Sequence, residues 1–475
     1  MFYRQKVAAT DMALRSHSAP VRASAAVRGL AQAALGVLVL LGVAPVAAVA
    51  QNFPSVASGG VGGVSINARG IASRSDVEVS GELREHYATA LSRMPSDLNK
   101  RTPLRKVSLK RLDAEVARCL AAGEDLPAEV QFLAGLQEVR YVLVYPDEQD
   151  IVLVGYGEAW RLDDRGTFVG VSTGRPVLWL DDLVVALRTA RDVRTDGISC
   201  SIDPSTAGLA RMQQFLASSG EMLSSDPNAA IIEIEESLGP QRITVAGVPT
   251  TSHFARVMVA ADFRMKCLAM NFEPSPVKGL NSYLHVASGR GSMMPRWWLE
   301  PDYDAILRTD DNLAWEIRGA RVKTVTEDSS VDDAGQRTRS GKTSPDAQRW
   351  ADQFTRRYAD VARHIPIFAE LSNLMDLAVV GAILAKEDFT AKANCPLLAL
   401  TGAEGLPPAQ LTAAKQVDSR ASFFRKGNSW VVSASGGVVI NSWGALEKPA
   451  PDADGKVAEL RDKSHATADS AWWWN

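Results

Sequence analysis

The spacing of apolar residues changes several times along the chain, and each change marks an element. Residues 79–93 repeat at helical spacing. A second helical pattern runs from Thr102-Pro103 to Gly123, with Leu109, Leu112, Val116, Cys119 and Leu120 on one stripe. The period then shortens. EVRYVLVYPDEQDIVLVG holds two β-branched apolar runs joined by Pro146-Asp147-Glu148-Gln149, which reads as a hairpin. TFVGVS is a further strand, leading through Gly174-Arg175-Pro176 into VLWL, after which Asp181 caps a helix to Arg191. ISCSIDP is a strand, with Asp203-Pro204 as cap and first-turn proline for a helix through Ala217. Another helix near 228–238 stops at Gly239-Pro240, and QRITVAGVP returns to strand.

Residues 252–270 are apolar almost all round, which places that helix at the centre, covered on most sides. PRWWL is followed by YDAILRT and LAWEIR, a hairpin turning at Asp310-Asp311-Asn312. Leu313, Trp315 and Ile317 share one face of a half-buried strand. The stretch Glu327 to Lys342 loses its apolar residues and reads as an exposed loop. Ser344-Pro345 opens a helix carrying Trp350, Phe354, Tyr358 and Val361. Pro366 breaks it, and a second helix with Phe368, Leu371, Met375, Val379 and Ile383 inward runs to about Lys386. SFFRKGNSWVVSASGGVVI offers a last hairpin at Lys426-Gly427-Asn428.

Hairpins and helices alternate without a sustained β-α-β repeat. The expected class is α+β, with mostly antiparallel strands covered by helices and a C-terminal helix pair. Residues 101–447 read as one globular region, with an internal division admitted at the 327–344 loop. They are preceded by a Gly/Ser-rich lead and short helix over 51–100, and followed by a disordered tail over 448–475.

Composition adds a compartment. Arg4, Lys6, Arg15, Arg22 and Arg28 precede the apolar run LAQAALGVLVLLGVAPVAAVA, which ends in Ala48-Val49-Ala50. This is the pattern of a cleavable signal peptide over 1–50, and it implies export to the periplasm or beyond. No other stretch is read as a membrane span. The full chain carries 52 Lys and Arg against 55 Asp and Glu. Residues 1–50 hold five of the former and one of the latter, which leaves an acidic remainder of 47 against 54. That balance argues against a nucleic-acid partner. The basic run NKRTPLRKVSLKR reads as a solvated helix face. Cys119, Cys200, Cys267 and Cys395 permit two disulfides in an oxidising compartment, although Cys119 also fits a buried helical stripe. No His/Cys cluster suggests zinc, and no cofactor is assigned.

The chemistry-bearing motifs are weak. Gly170-Val171-Ser172-Thr173-Gly174 matches G-x-S-x-G, but a helix should follow the serine and Arg175-Pro176 with VLWL stands there instead. Ser275 and Lys278 have S-x-x-K spacing, but Pro274 and Pro276 oppose the helix it requires. On the central helix His253, Arg256 and Arg264 cluster on one side, with Asp262 and Lys266 opposite at i,i+4 spacing, a pattern that fits an orienting ion pair better than a catalytic one. In Arg296-Trp297-Trp298, strand alternation sends one indole into the core and leaves the other on the face of Arg296. An arginine over an indole can grip a sugar or peptide, although a strand covered on both faces is the preferred reading, because tryptophan is highly buried on average. Arg296, Trp297, Trp298, Tyr303 and His253 are therefore candidate ligand-binding residues, and none is assigned a catalytic role. Trp472-Trp473-Trp474, on a loose tail, fits an envelope or protein partner, a membrane surface or simply a poorly ordered end.

Taken together, LAGLQEVRYVLVYPDEQDIVLVG, CSIDPSTAGL, ADFRMK, SYLHVASGRGSMMPRWWLEPDYDAI, VKTVTED and SASGGVVI resemble an exported planctomycete family known only as domain of unknown function 1598. The resemblance spans most of 100–440. It implies export and a shared fold, and it brings no activity, ligand or catalytic residue with it. The expectation is an exported soluble module that binds a partner or organises the envelope without catalysis. The alternative is an exported hydrolase using Ser172, or Asp302 or Asp304 meeting Arg296 and His253 in one pocket.

Overall fold

In this computed structural model the described residues are 61–62, 64–74, 94–219, 225–288, 294–327, 329–332, 334–339, 341–422, 433–465 and 471–475. The expected signal segment, the helical pattern at 79–93 and the turn at 426–428 lie outside them. The chain begins with β1 (Val64–Ile66) and β2 (Ile71–Arg74), an antiparallel pair. β3 (Thr102–Ser108) then stands where the helical stripe was expected to begin, and the helix α1 (Leu109–Ala122) starts seven residues later. Its N-cap is Ser108, whose hydroxyl accepts from the Arg111 amide. The basic run is likewise not a solvated helix face. Arg105 is fully buried and donates to the Leu98 and Lys100 carbonyls, because strand alternation turns it inward with Val107.

β4 (Tyr141–Tyr145) and β5 (Asp150–Gly157) form the expected hairpin, followed by the pair β6 (Trp160–Leu162) and β7 (Phe168–Gly170). Helix α2 (Leu180–Thr189) is capped at Trp179 and not at Asp181, which is buried in its first turn. Helix α3 (Thr206–Ser218) follows β8 (Ile198–Asp203), and its cap is Ser205 rather than Asp203. In both places the nearer acidic residue is engaged elsewhere: Asp181 accepts from the Ala409 amide and Asp203 meets Arg296. Helix α4 (Pro227–Leu238), β9 (Gln241–Ala246) and helix α5 (His253–Ala269) come next, and every residue of α5 is buried.

β10 (Arg296–Asp302), β11 (Leu307–Arg308) and β12 (Ala314–Glu316) follow. β12 is covered on both faces, since Ala314 and Glu316 are buried along with Trp315, where a half-buried strand was expected. After β13 (Arg321–Thr326), the apolar-poor stretch is a two-stranded hairpin, β14 (Ser329–Val331) with β15 (Arg337–Arg339), rather than an irregular loop. Helices α6 (Pro345–His364) and α7 (Pro366–Glu387) bury the residues their spacing marks. α7 is long and apolar enough to cross a membrane by length and composition, contrary to the sequence expectation, but 89% of its apolar window is buried inside the protein. β16 (Gln416–Val417), β17 (Ser435–Ile440), β18 (Ala450–Pro451), helix α8 (Lys456–Asp462) and β19 (Trp473–Trp474) complete the chain. The described part of 448–475 is therefore ordered structure and not a loose tail. Its tryptophans gain more by burial than its polar residues lose by ordering.

Two sheets organise these elements. The first runs β1-β2-β16-β9-β8-β17-β10-β13 and the second β18-β11-β12-β4-β5-β3-β19, with antiparallel pairs predominating, so the class is α+β. α5 packs across β8 and β17 on the inner face of the first sheet, and α2 and α7 pack on α5 in turn. The four cysteines are free and buried, each serving as a small apolar side chain.

Candidate functional site

β8 alternates buried Ile198, Cys200 and Ile202 with half-buried Ser199, Ser201 and Asp203, so the face of the first sheet turned away from α5 is polar and partly open. β10 divides its tryptophans in the same way. Trp297 is fully buried. Its Nε1 donates to the Ala347 carbonyl at 3.2 Å, and its ring meets Tyr283 and Trp350 at 5.1 and 4.4 Å. Trp298 lies on the outer face, half-buried, with the Arg296 guanidinium 5.1 Å from its ring centroid.

Register builds a row around that indole. Val325, Trp298, Gly437, Ser201 and Thr244 stand side by side on β13, β10, β17, β8 and β9. Gly437 adds no side chain to the row, and its backbone sits so close to β8 that a Cβ would lie 1.8 Å from the Cys200 carbonyl oxygen. Beyond this bare step the Ser201 and Thr244 hydroxyls meet at 2.8 Å. Arg296 reaches over to Asp203 at 3.3 Å, which neutralises both charges at one border of the row. The result is a half-buried indole, a buried glycine step, two hydroxyls and a compensated ion pair along one row.

The remaining candidates lie elsewhere. Tyr303 donates to Asp376 Oδ1 at 2.8 Å, and Asp376 also accepts from Arg321 and the Val139 amide, a buried network linking α7 to both sheets. Asp302 is six residues along β10 from Arg296, about 20 Å in an extended strand. The structure brings neither Asp302 nor Asp304 to His253.

His253 opens α5 and is buried. Its Nδ1 meets Asp182 Oδ2 at 2.9 Å and its Nε2 lies 3.8 Å from Glu370 Oε2, while Trp179 stacks on the ring at 4.2 Å. Burial opposes its protonation, but the charge and hydrogen bond of Asp182, then Glu370 and Asp181, outweigh it and raise the imidazole to about 9. Burial raises Glu370 to about 7 against the pull of His253, and raises Asp181 to about 6 with help from Asp182. This arrangement can hold a proton among three helix starts. The Thr167 hydroxyl donates to Glu370 Oε1 at 3.3 Å and completes the buried cluster.

Ser172 sits in an exposed turn, where Glu158 accepts from the neighbouring Thr173 amide and hydroxyl. No helix follows it before α2, so the elbow geometry is absent at this turn. Ser275 closes a local turn with Val277, and Lys278 is exposed. A cavity of about 40 Å³ lined by Ile202, Phe263, Lys266, Cys267 and Arg420 has room for a few waters rather than a metabolite. Among the described residues no group of three or more His, Cys, Asp or Glu could hold a metal ion.

The chain's local pattern did not reveal Gly437, Ser201 and Thr244 in the cross-strand row of Trp298, or Asp182 and Glu370 as partners of His253. Two signals were available: adjacent glycines inside an apolar strand in SASGGVVI, and adjacent aspartates inside the apolar run VLWLDDLVV.

The family described as a protein of unknown function (DUF1598) matches residues 200–283, a segment holding Ser201, Asp203, Thr244 and His253 but ending before Arg296 and Trp298. No curated protein and no solved structure matches the chain.

Proposed function

We propose that the protein is an exported binding module without catalysis, and that the outer face of its larger sheet takes an uncharged saccharide of the cell envelope. The observation that carries this reading is the row Trp298, Gly437, Ser201, Thr244. The half-buried indole offers a sugar ring an apolar surface, and the half-buried Ser201 and exposed Thr244 hydroxyls further along the row offer it hydrogen bonds, while Gly437 between them is buried and sets the close strand spacing. Charge favours a neutral ligand over an acidic one, because Arg296 is already paired with Asp203 and the chain beyond residue 50 is acidic. Export is supported by the basic segment, the apolar run and the Ala-Val-Ala ending of residues 1–50. The hydrolase reading needs either Ser172 on a strand-to-helix elbow or the convergence of Arg296, His253 and Asp302 or Asp304; the turn at Ser172 with no helix before α2, and the dispersal of the other set, speak against it.

A glycan array probed with the wild-type protein and with Trp298→Ala tests the reading. Expected is retention of uncharged glycans by the wild type and their loss in the variant. Equal retention by both, or retention of acidic glycans alone, would overturn it. The mass of the mature protein in the periplasmic fraction tests export, with cleavage near Ala50 expected.

A further inference from the structure

The tryptophans of residues 471–475 look like a sticky end in the sequence, yet this segment is held residue by residue. The Ala471 carbonyl accepts from Arg111 at 3.4 Å and the Trp472 carbonyl from the Ser108 amide at 2.8 Å. Trp473 and Trp474 pair antiparallel with Val107 and Lys106 along the edge of β3. Trp473 Nε1 donates to Asp97 Oδ2 at 3.1 Å, and Asn475 Nδ2 donates to the Asp97 carbonyl at 3.2 Å, so the short turn at 96–99 closes one end of the strip.

Side chains alternate across this added strand. Trp473, 6% exposed, joins the main core that contains Val107, where Trp472, just before the paired residues, packs against it at 4.5 Å between ring centroids. Trp474 packs against the separate cluster of Tyr145, Val154 and Leu104 on the opposite face of the sheet. Main-chain bonds along an edge, with pockets on both faces for successive side chains, are the recognition logic of strand addition. An exposed edge strand is also the part of a sheet most open to pairing with another peptide.

We infer that the edge of β3 is a strand-accepting site for an extended peptide with two adjacent aromatic residues, and that residues 471–475 fill it in cis. The ladder supplies sequence-independent affinity, the two faces select aromatic side chains, and Asp97 sets the register by accepting from the first indole.

A fluorescein-labelled peptide of sequence AWWWN, titrated against full-length Trp473→Ala/Trp474→Ala, tests this. The vacated variant is expected to bind at least tenfold more tightly than the wild type, whose site is filled, and to ignore the peptide AWAAN, in which the second and third tryptophans are changed to alanine. Equal affinities for variant and wild type, or for the two peptides, would overturn the inference. A second measurement does not depend on the variant folding. A protease site is placed within 466–470 of the otherwise wild-type chain, which is cut after folding and given excess labelled peptide. Exchange of label for the native segment, read by mass spectrometry, is expected. Retention of the native segment without exchange, or its loss without uptake of label, would contradict it.

Discussion

Lys266 donates to Asp262 one helical turn behind it, at 2.8 Å, and its other two contacts run to backbone carbonyls on neighbouring strands, Ile202 at 2.9 Å and Gly436 at 3.2 Å. One ammonium thus ties α5 to β8 and β17. Burial lifts the Asp262 carboxyl to about 7 even against the pull of Lys266, and its Oδ1 has no partner among the described residues. Lys266→Met leaves that carboxylate and two carbonyls unpaired and is expected to cost about 3–5 kcal/mol in urea unfolding. Adding Asp262→Leu removes the stranded charge and should recover more than half of the loss. A cost below about 1 kcal/mol for the single variant would show that the tie contributes nothing.

The His253 cluster gives stability a pH dependence. The imidazole is raised from its ordinary value near 6.5 to about 9, so its stabilisation is complete below about 6.5 and is lost as pH rises through 9. The raised carboxyls of Glu370 and Asp181 act in the same direction at lower pH, between their ordinary values near 4 and about 7 and 6. The thermal midpoint should therefore fall steadily from pH 6.5 to 9.5. In an NMR titration of labelled histidine, the His253 resonance should move well above pH 7. A flat midpoint with His253 titrating at or below 6.5 would refute the assignment.

The glycine pair on β17 is a steric requirement. Gly436 has φ +117°, and a Cβ there would stand 1.8 Å from the Trp297 carbonyl oxygen, at the junction of β17 and β10. Gly436→Ala combines overpacking with positive-φ strain and is expected to cost about 2–6 kcal/mol. Gly123 provides the control. It also has positive φ but nothing within 4 Å of its Cβ position, so alanine there should cost only about 1–2 kcal/mol. Equal shifts in thermal midpoint for the two variants would deny the close approach.

Much of this fold was legible because period and burial agree. The hairpin of β4 and β5, the all-round apolar α5 and the stripe Trp350, Phe354, Tyr358, Val361 on α6 follow from spacing alone. The misreadings share a cause, which is that a distant partner outweighed the local signal. Arg105 enters a buried strand with its Nη2 on the Leu98 and Lys100 carbonyls, while its Nε and Nη1 have no partner among the described residues, and Asp181 serves the Ala409 amide rather than its own helix. Residues 471–475 read as loose because β3, which they pair with, lies more than 360 positions earlier in the chain. The division of roles between Trp297 and Trp298 follows from strand alternation, but only the register of four strands puts Gly437, Ser201 and Thr244 in one row with the outer indole.

That division is the central claim, and calorimetric titration of an uncharged oligosaccharide, run beside thermal unfolding, tests it most directly. Trp298→Ala should weaken binding at least tenfold, equivalent to about 1.4 kcal/mol, while leaving the thermal midpoint nearly unchanged. Trp297→Ala should cost about 3–5 kcal/mol of stability as a core deletion. Unaltered saccharide affinity in Trp298→Ala, or a loss of stability as large as that of Trp297→Ala, would contradict the account.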